Sequence, residues 1–166
     1  MTMDVAININ DIIYPQNSPF NPDYAFPELA GLYESSVDPE NKVYGAIRDL
    51  LISLKLDEEN IDKENWNPFS AFIKHGDRVV IKPNLVLHHN GSKKDISAVV
   101  THASLIRPLI DYTLLALKGK GEIIVGDAPH GDAYFDTITK TNGLFELIAW
   151  YKSKGYNIQL RDFRKF

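Results

Sequence analysis

The chain has 166 residues, of which 44% are hydrophobic and 24% are charged, and its formal net charge is −4. This length and composition predict one globular domain with its own hydrophobic core, and the lack of a basic surplus argues against a nucleic-acid partner. Cysteine is absent, which excludes disulfides, a cysteine nucleophile and a cysteine-ligated iron–sulfur cluster within this chain.

The N-terminal residues show no sign of a targeting or membrane-spanning segment. Residues 1–4 lack a basic start and a long apolar run, and no uncharged stretch reaches the length needed to cross a bilayer. We therefore expect a cytoplasmic protein without a membrane span.

Residues 1–40 are predicted to form an irregular N-terminal arm. Residues 5–9 have the composition of a short strand, but prolines then recur and exclude a continuous helix. Five aromatic residues lie in the same stretch: Tyr14, Phe20, Tyr24, Phe26 and Tyr33. Because aromatic side chains at this density usually find a surface to cover, we expect the arm to lie over the domain formed by residues 41–166.

Three helices are predicted in that domain from apolar residues that recur every three to four positions. The first covers residues 40–55, the second ends at Gly119 and the third is closed by Gly155. The cap of the second helix is left open between Thr101 and Ser104. With Thr101 as the cap, Pro108 would delete one backbone hydrogen bond and kink the helix, at a cost of about 3 kcal/mol.

Three strands alternate with these helices. A β-branched run begins at Arg78 and stops near Pro83, a second covers residues 122–127, and a third covers residues 157–160. This alternation indicates βαβ units with right-handed crossovers. The sequence therefore predicts a three-layer, Rossmann-like α/β fold with a mostly parallel sheet, helices on both faces and the irregular arm.

Chemically useful side chains follow the predicted strands, where parallel sheets usually bind ligands. The first strand is followed by Lys82 and Asn84, the loop before the second helix contains Thr101 and His102, and the second strand ends with Asp127, followed by His130. A lysine and free N–H groups at a helix start favour a phosphate or a carboxylate. Asp127 could act as a base or bind a divalent cation, with His102 or His130 in either role.

Each of these residues also has an ordinary structural explanation. Lys82 could simply extend into solvent, Thr101 could cap a helix, and Asp127 could be a turn residue. His102 and His130 are single histidines in loops, which more often have structural or solvent-facing roles. No phosphate-binding P-loop or dinucleotide fingerprint is present, which argues against a nucleotide cofactor.

Several sequence blocks together resemble the domain of unknown function 362 family. They are "GDRVVIKPNLV", "VVTHASLIRPLI", "EIIVGDAPHGDAYFD" and "NGLFELIAWYKSKGYNIQLRDFR". The arm segment "YPQNSPFNPDYAFPE" and, further along the chain, the block "ENWNPFSAFIKHGD" together resemble one branch of that family, a polysaccharide-cluster-like one. The resemblance implies an α/β protein of uncertain activity, in a family whose members are in some cases joined to iron–sulfur modules.

The family motifs map onto the same predicted site. Its lysine-proline-asparagine block corresponds to Lys82, Pro83 and Asn84, its threonine-histidine block to Thr101 and His102, and its glycine-aspartate block to Gly126 and Asp127. Two features depart from the family pattern. Ala103 stands where the family often has proline, and family members usually continue well past the position of Phe166. We therefore expect this chain to be the N-terminal portion of a longer protein.

Two functions remain open from the sequence. The first is part of an enzyme that binds a small anionic metabolite at the strand ends through Lys82, Asn84, Thr101, Gly126 and His130, with Asp127 and His102 as catalytic groups and a divalent cation as an option. The alternative is a non-catalytic module whose aromatic arm docks another subunit or the missing C-terminal half of the same protein.

Overall fold

The computed structural model describes residues 5–8, 12–32 and 36–165. Its helices are α1 (Lys42–Ser53), α2 (Ala103–Leu117), α3 (Phe135–Thr141) and α4 (Leu144–Ser153), and its strands are β1 (Arg78–Ile81), β2 (Glu122–Asp127) and β3 (Ile158–Asp162). Short 3₁₀ turns lie at Pro27–Leu29, Glu58–Asn60 and Ile96–Ala98.

The strands form a parallel sheet in the order β1-β2-β3. Val79 pairs with Ile123, and Ile123 pairs with Ile158, so the three strands share one register across the sheet. A parallel neighbour requires a crossover, which α2 provides between β1 and β2, and α3 with α4 provides between β2 and β3. The structure confirms the predicted α/β class, with a parallel sheet flanked by helices.

The main hydrophobic core joins alternate strand residues to α2 and α4. Its strand members are Val79, Ile81, Ile123, Val125, Ile158 and Leu160. Successive side chains of a strand point to opposite faces, so these residues lie on one face of the sheet. Helices α2 and α4 therefore pack on the face of the sheet that carries Val79 and Ile81. Val80 points to the opposite face and is 55% exposed.

The predicted helices are confirmed, but the start of α2 differs from both predicted caps. His102 is the N-cap residue, and its Nδ1 accepts a hydrogen bond from the Ser104 backbone N–H at 3.2 Å. Pro108 therefore lies inside α2, where it removes the bond to the Ser104 carbonyl. The sequence analysis did not predict α3, which is only seven residues long.

The N-terminal arm packs into the domain. Phe20 is 2% exposed and meets His102 edge-on, while Tyr14 stacks on the His102 ring at 4.7 Å between ring centres. Phe26 stacks on Tyr44 of α1. The prediction of a strand over residues 5–9 is wrong for residues 5–8, which form no strand. Ile9 and Tyr33 lie outside the described residues.

Buried charged side chains hold the arm and the helices together. Asp111 is fully buried, pairs with Arg107 at 3.0 Å and accepts the Tyr44 hydroxyl at 2.8 Å. Arg107 also donates to the Pro19 carbonyl at 2.6 Å. A buried charge is stable only when it is paired and hydrogen-bonded, and this network satisfies both conditions.

A second network ties the 3₁₀ turn at Pro27–Leu29 to α1 and α2. Glu28 is 2% exposed; it pairs with Arg48 at 2.8 Å and accepts the Tyr112 hydroxyl at 2.9 Å. Together with the contacts of Phe20, this network makes the arm part of the same folded unit as α1 and α2.

Replacing Phe20 tests whether the arm contributes to folding. We expect Phe20→Ala to lower the free energy of unfolding by about 3–5 kcal/mol, because a buried aromatic ring is removed. Tyr24→Ala is the matched control: Tyr24 is 64% exposed, so its loss should change stability by about 0.5 kcal/mol. Urea denaturation of the three proteins measures both values. Similar small losses for the two variants would contradict the packing role of the arm.

Candidate functional site

The loop that follows β1 runs between two other segments at the carboxyl end of the sheet. On one side it pairs with the residues before α2: the Thr101 N–H donates to the Asn84 carbonyl at 2.8 Å, and the Asn84 N–H donates to the Thr101 Oγ1 at 3.0 Å. Leu85 and Val100 form an isolated antiparallel bridge in the same place. The loop after β1 is therefore hydrogen-bonded to the segment that precedes α2.

On its other side the loop contacts the end of β2. The Leu85 N–H donates to Asp127 Oδ2 at 2.8 Å, and the His130 N–H donates to the Val86 carbonyl at 3.1 Å. The structure thus brings the segments of Lys82, Thr101 and Asp127 to one edge of the sheet. We call this edge, formed by residues 82–86, 99–101 and 127–133, the carboxyl rim.

Lys82 and Asp127 form an ion pair on the carboxyl rim. Lys82 Nζ lies 2.6 Å from Asp127 Oδ1, and the same oxygen accepts the Ala128 N–H at 2.9 Å. The Asp127 side chain is 5% exposed, whereas the Lys82 side chain is 61% exposed. The pair therefore consists of a buried carboxylate and a solvent-accessible ammonium group.

These contacts decide the charge of Asp127. Burial alone would raise the pKa of the carboxyl group, but the hydrogen bonds from Lys82, Leu85 and Ala128 outweigh it, so the net pKa of Asp127 is lowered. The carboxylate stays ionised at neutral pH and both of its oxygens are engaged. This environment suits a group that positions Lys82 better than one that takes up a proton.

Gly126 is required by the tight contact between β2 and β3. A Cβ atom at this position would lie 2.1 Å from the Arg161 carbonyl oxygen and 3.0 Å from the Phe163 ring. No side chain fits such a gap, so the glycine before Asp127 has a packing reason of its own. It does not by itself indicate a ligand.

Thr101 does not cap α2, because its hydroxyl accepts the Asn84 N–H. The first N–H groups of α2 are also occupied: that of Ala103 donates to the Asn142 carbonyl at 3.3 Å, and that of Ser104 donates to His102. The expectation that free N–H groups at this helix start would bind an anion is wrong for these two positions.

The His102 ring contacts the arm. It is stacked on Tyr14, meets Phe20, and its Nδ1 lies 2.9 Å from the Ser104 Oγ. Burial lowers the pKa of His102, and the more distant Asp95 carboxylate opposes this only in part. The ring is therefore a neutral helix cap, and its described contacts do not include Lys82 or Asp127.

His130 forms a pair with a residue that the sequence analysis did not single out. Its Nδ1 lies 2.6 Å from Asp132 Oδ1, and both side chains are exposed. The hydrogen bond from His130 lowers the pKa of Asp132. Asn84, the other polar residue expected here, also has an exposed side chain.

Arg164 is the second group that sequence reasoning missed. Its guanidinium pairs with Asp162 at 2.7 Å and donates to the carbonyls of His130 at 2.7 Å and Ala133 at 3.0 Å. The residues lie at the end of the "RDFR" block, but carbonyl groups carry no sequence signal. Only the fold reveals that Arg164 fixes the loop after β2.

The described residues offer neither a cluster of metal ligands nor a membrane-spanning helix. Within residues 5–8, 12–32 and 36–165, no three or more His, Asp or Glu side chains are grouped so that they could hold a metal ion. Over the same residues, no helix combines the length and the apolar character needed to cross a bilayer.

Comparison with known proteins places the chain in a protein family. A family model described as "Domain of unknown function (DUF362)" matches residues 79–165, which is just over half of the 166 residues. The matched span contains Lys82, Thr101 and Asp127. Neither the curated proteins nor the solved structures yield a match.

Replacing Asp127 tests the central ion pair of the carboxyl rim. We expect Asp127→Asn to destabilise the protein by about 1–3 kcal/mol at pH 7, because buried hydrogen-bond donors lose their charged acceptor. The pKa of Asp127 is lower in the folded chain than its ordinary value of 3.8, so its stabilisation is present above pH 3.8 and is lost as the pH falls further. Urea denaturation should show a smaller difference in the free energy of unfolding between the wild type and Asp127→Asn at pH 3 than at pH 7. A difference that does not depend on pH would contradict this prediction.

Replacing His102 tests the neutral helix cap. Because burial holds its pKa below the ordinary value of 6.5, its stabilisation is complete above pH 6.5 and declines as the pH falls through the lower folded value. Asparagine can cap a helix without titrating in this range. The melting temperature of the wild type should therefore fall more between pH 7.5 and pH 5 than that of His102→Asn. Equal falls would show that His102 is not held neutral by the fold.

Proposed function

We propose that this chain, which belongs to the domain of unknown function 362 (DUF362) family, binds a small anionic ligand, a phosphate or a carboxylate, through Lys82 on its carboxyl rim. The chain would do so as part of an enzyme. The observation that carries the proposal is the solvent-accessible ammonium group of Lys82, placed at the carboxyl edge of a parallel sheet by the buried Asp127 carboxylate.

Lys82 suits an anion because its charge is fixed in position and remains accessible. An ammonium group has three N–H donors, and the bond to Asp127 Oδ1 uses one of them. Asp127 shares its negative charge with the N–H groups of Leu85 and Ala128, so it does not fully neutralise the lysine. Because the Lys82 side chain is largely exposed, an anion can approach the remaining donors.

Other rim groups fit the same ligand. The exposed side chain of Asn84 lies two residues from Lys82 and can donate through its amide group. Thr101 acts indirectly: its hydroxyl accepts the Asn84 N–H and its own N–H donates to the Asn84 carbonyl, so it holds Asn84 in place. In this proposal Lys82 and Asn84 bind the ligand, whereas Asp127, Gly126 and Thr101 shape the rim.

The contacts of the arm weaken the case for a docking module. That alternative was based on exposed aromatic residues, yet Phe20 is buried, Tyr14 stacks on His102, and Phe26 stacks on Tyr44. Tyr24 keeps a largely exposed ring. Most of the described aromatic surface of the arm is thus already used inside the chain, and we favour ligand binding.

A titration with simple anions tests the proposal. We expect phosphate or a small carboxylate such as citrate to raise the melting temperature of the wild type and to bind in isothermal titration calorimetry. Lys82→Met keeps the apolar stem but removes the charge, so it should weaken binding by about tenfold or more, as expected for the loss of a charge-assisted hydrogen bond. Lys82→Arg should retain part of the affinity.

Lys152→Met is the matched control, because Lys152 is an exposed lysine near the end of α4, away from the rim. The Lys152→Met variant should bind the same anions as the wild type. If the wild type binds none of them, or if Lys82→Met and Lys152→Met bind equally well while folded, the proposed function is wrong.

A further inference from the structure

We propose that His130, oriented by Asp132, is the acid–base group of the carboxyl rim and exchanges a proton with the ligand. This inference rests on the proposed function, because it assigns a chemical step to the ligand that Lys82 would hold. It goes beyond anion binding, and it names Asp132 as a positioning residue.

The geometry of the pair favours one tautomer of the imidazole. Nδ1 of His130 lies 2.6 Å from Asp132 Oδ1, so a proton on Nδ1 is donated to the carboxylate. The neutral ring then presents Nε2 as a bare acceptor. Among the described residues Nε2 has no hydrogen-bond partner. A base oriented in this way by a carboxylate is a recurring arrangement in enzymes.

The backbone around this pair is fixed from several directions. The His130 N–H donates to the Val86 carbonyl, and the Ala133 N–H donates back to the His130 carbonyl at 2.9 Å. Arg164 holds the same His130 carbonyl and that of Ala133. These hydrogen bonds hold the backbone of His130 at the rim, between Val86 and Arg164.

The charged groups near the pair leave Asp132 available to His130. Asp162 is paired with Arg164, and Arg164 is committed to backbone carbonyls. His88 lies close enough to favour the ionised form of Asp132. Lys165, Asp136 and Asp132 itself line a surface cavity of about 590 Å³ beside the loop. Asp132 therefore keeps a negative charge that can balance an imidazolium.

The path of the chain limits the size of the ligand. Val86 accepts the His130 N–H and lies four residues from Lys82, so the Cα atoms of Lys82 and Val86 are at most about 14 Å apart. The fitting class is an elongated metabolite with a phosphate or carboxylate at one end and an acidic O–H or C–H near the other.

The proposed step is a proton transfer and needs no further reagent. The ligand O–H or C–H bond breaks, its electron pair stays on the ligand, and the proton joins Nε2. His130 becomes an imidazolium, which Asp132 stabilises through the Nδ1–H bond. The same proton can return to the ligand, so the group can act as a base and then as an acid.

Chemical modification of the histidines tests the pair directly. Diethyl pyrocarbonate acylates the bare nitrogen of a neutral imidazole, and mass spectrometry reports the rate at each of the five histidines. At about pH 9, where imidazoles are neutral, we expect Asp132→Asn to slow acylation of His130 by about threefold, the scale set by an exposed charge pair. Acylation of His75 should not change. Asp136→Asn is the matched control, because Asp136 lines the same cavity but is not the partner of His130.

Nitrogen NMR of the imidazoles reports the tautomer of His130 directly. In the wild type the His130 signals should show a protonated Nδ1 and a bare Nε2, and Asp132→Asn should shift the population towards the other tautomer. If the tautomer and the acylation rate of His130 are the same in the wild type and Asp132→Asn, the inference is wrong.

Protection by citrate separates this inference from the proposed function, because citrate has carboxylates at both ends and extends further from Lys82 than inorganic phosphate does. Saturating citrate should slow acylation of His130 in the wild type and should have no effect in Lys82→Met. If acylation of His130 depends on Asp132 but citrate does not slow it, and the protein binds no anion, the His130–Asp132 pair is intact and the proposed function is wrong. Anion binding at Lys82 without any Asp132 dependence of His130 would overturn only the inference.

Discussion

The carboxyl rim depends on one buried carboxylate. Asp127 accepts hydrogen bonds from Lys82, Leu85 and Ala128 at 2.6–2.9 Å, and these donors come from β1's end, the loop after β1, and β2's end. An ionised carboxylate removed from water costs several kcal/mol unless such donors surround it. The need to satisfy Asp127 therefore dictates where the two loops lie. Contacts within the chain therefore position the groups of the rim.

The arm and the helices provide a second layer of support, and it also uses buried charge. Arg107 reaches from α2 to the Pro19 carbonyl, and Glu28 joins the arm to Arg48 of α1. Phe20 fills the space beside His102. Because His102 caps α2, the arm stabilises the helix that leads away from the rim. The arm thus supports α2, whereas the residues proposed to bind the ligand, Lys82 and Asn84, lie outside the arm.

The sequence predicted the elements well and the role of single side chains less well. Apolar periodicity located α1, α2 and α4, and β-branched runs located the strands, because these patterns report which residues face a core. The short helix α3 has too few turns for such a pattern. The expected positions of Lys82 and Asp127 at the ends of β1 and β2 are confirmed. The contacts of Asp132 and Arg164 were not predicted, because a pair two residues apart and a set of backbone carbonyls leave no recognisable motif. The capping role considered for Thr101 belongs to His102, since an imidazole nitrogen can cap a helix as a hydroxyl does.

The proposed chemistry of the carboxyl rim requires that Lys82 hold an anion there. Crystals of the protein grown with selenate, a phosphate-like anion with a strong anomalous signal, test this most directly. We expect an anomalous peak within hydrogen-bonding distance of Lys82 Nζ, on the side of the ammonium group that faces away from Asp127. Peaks found only elsewhere on the surface, with Lys82 left in contact with Asp127 alone, would contradict it.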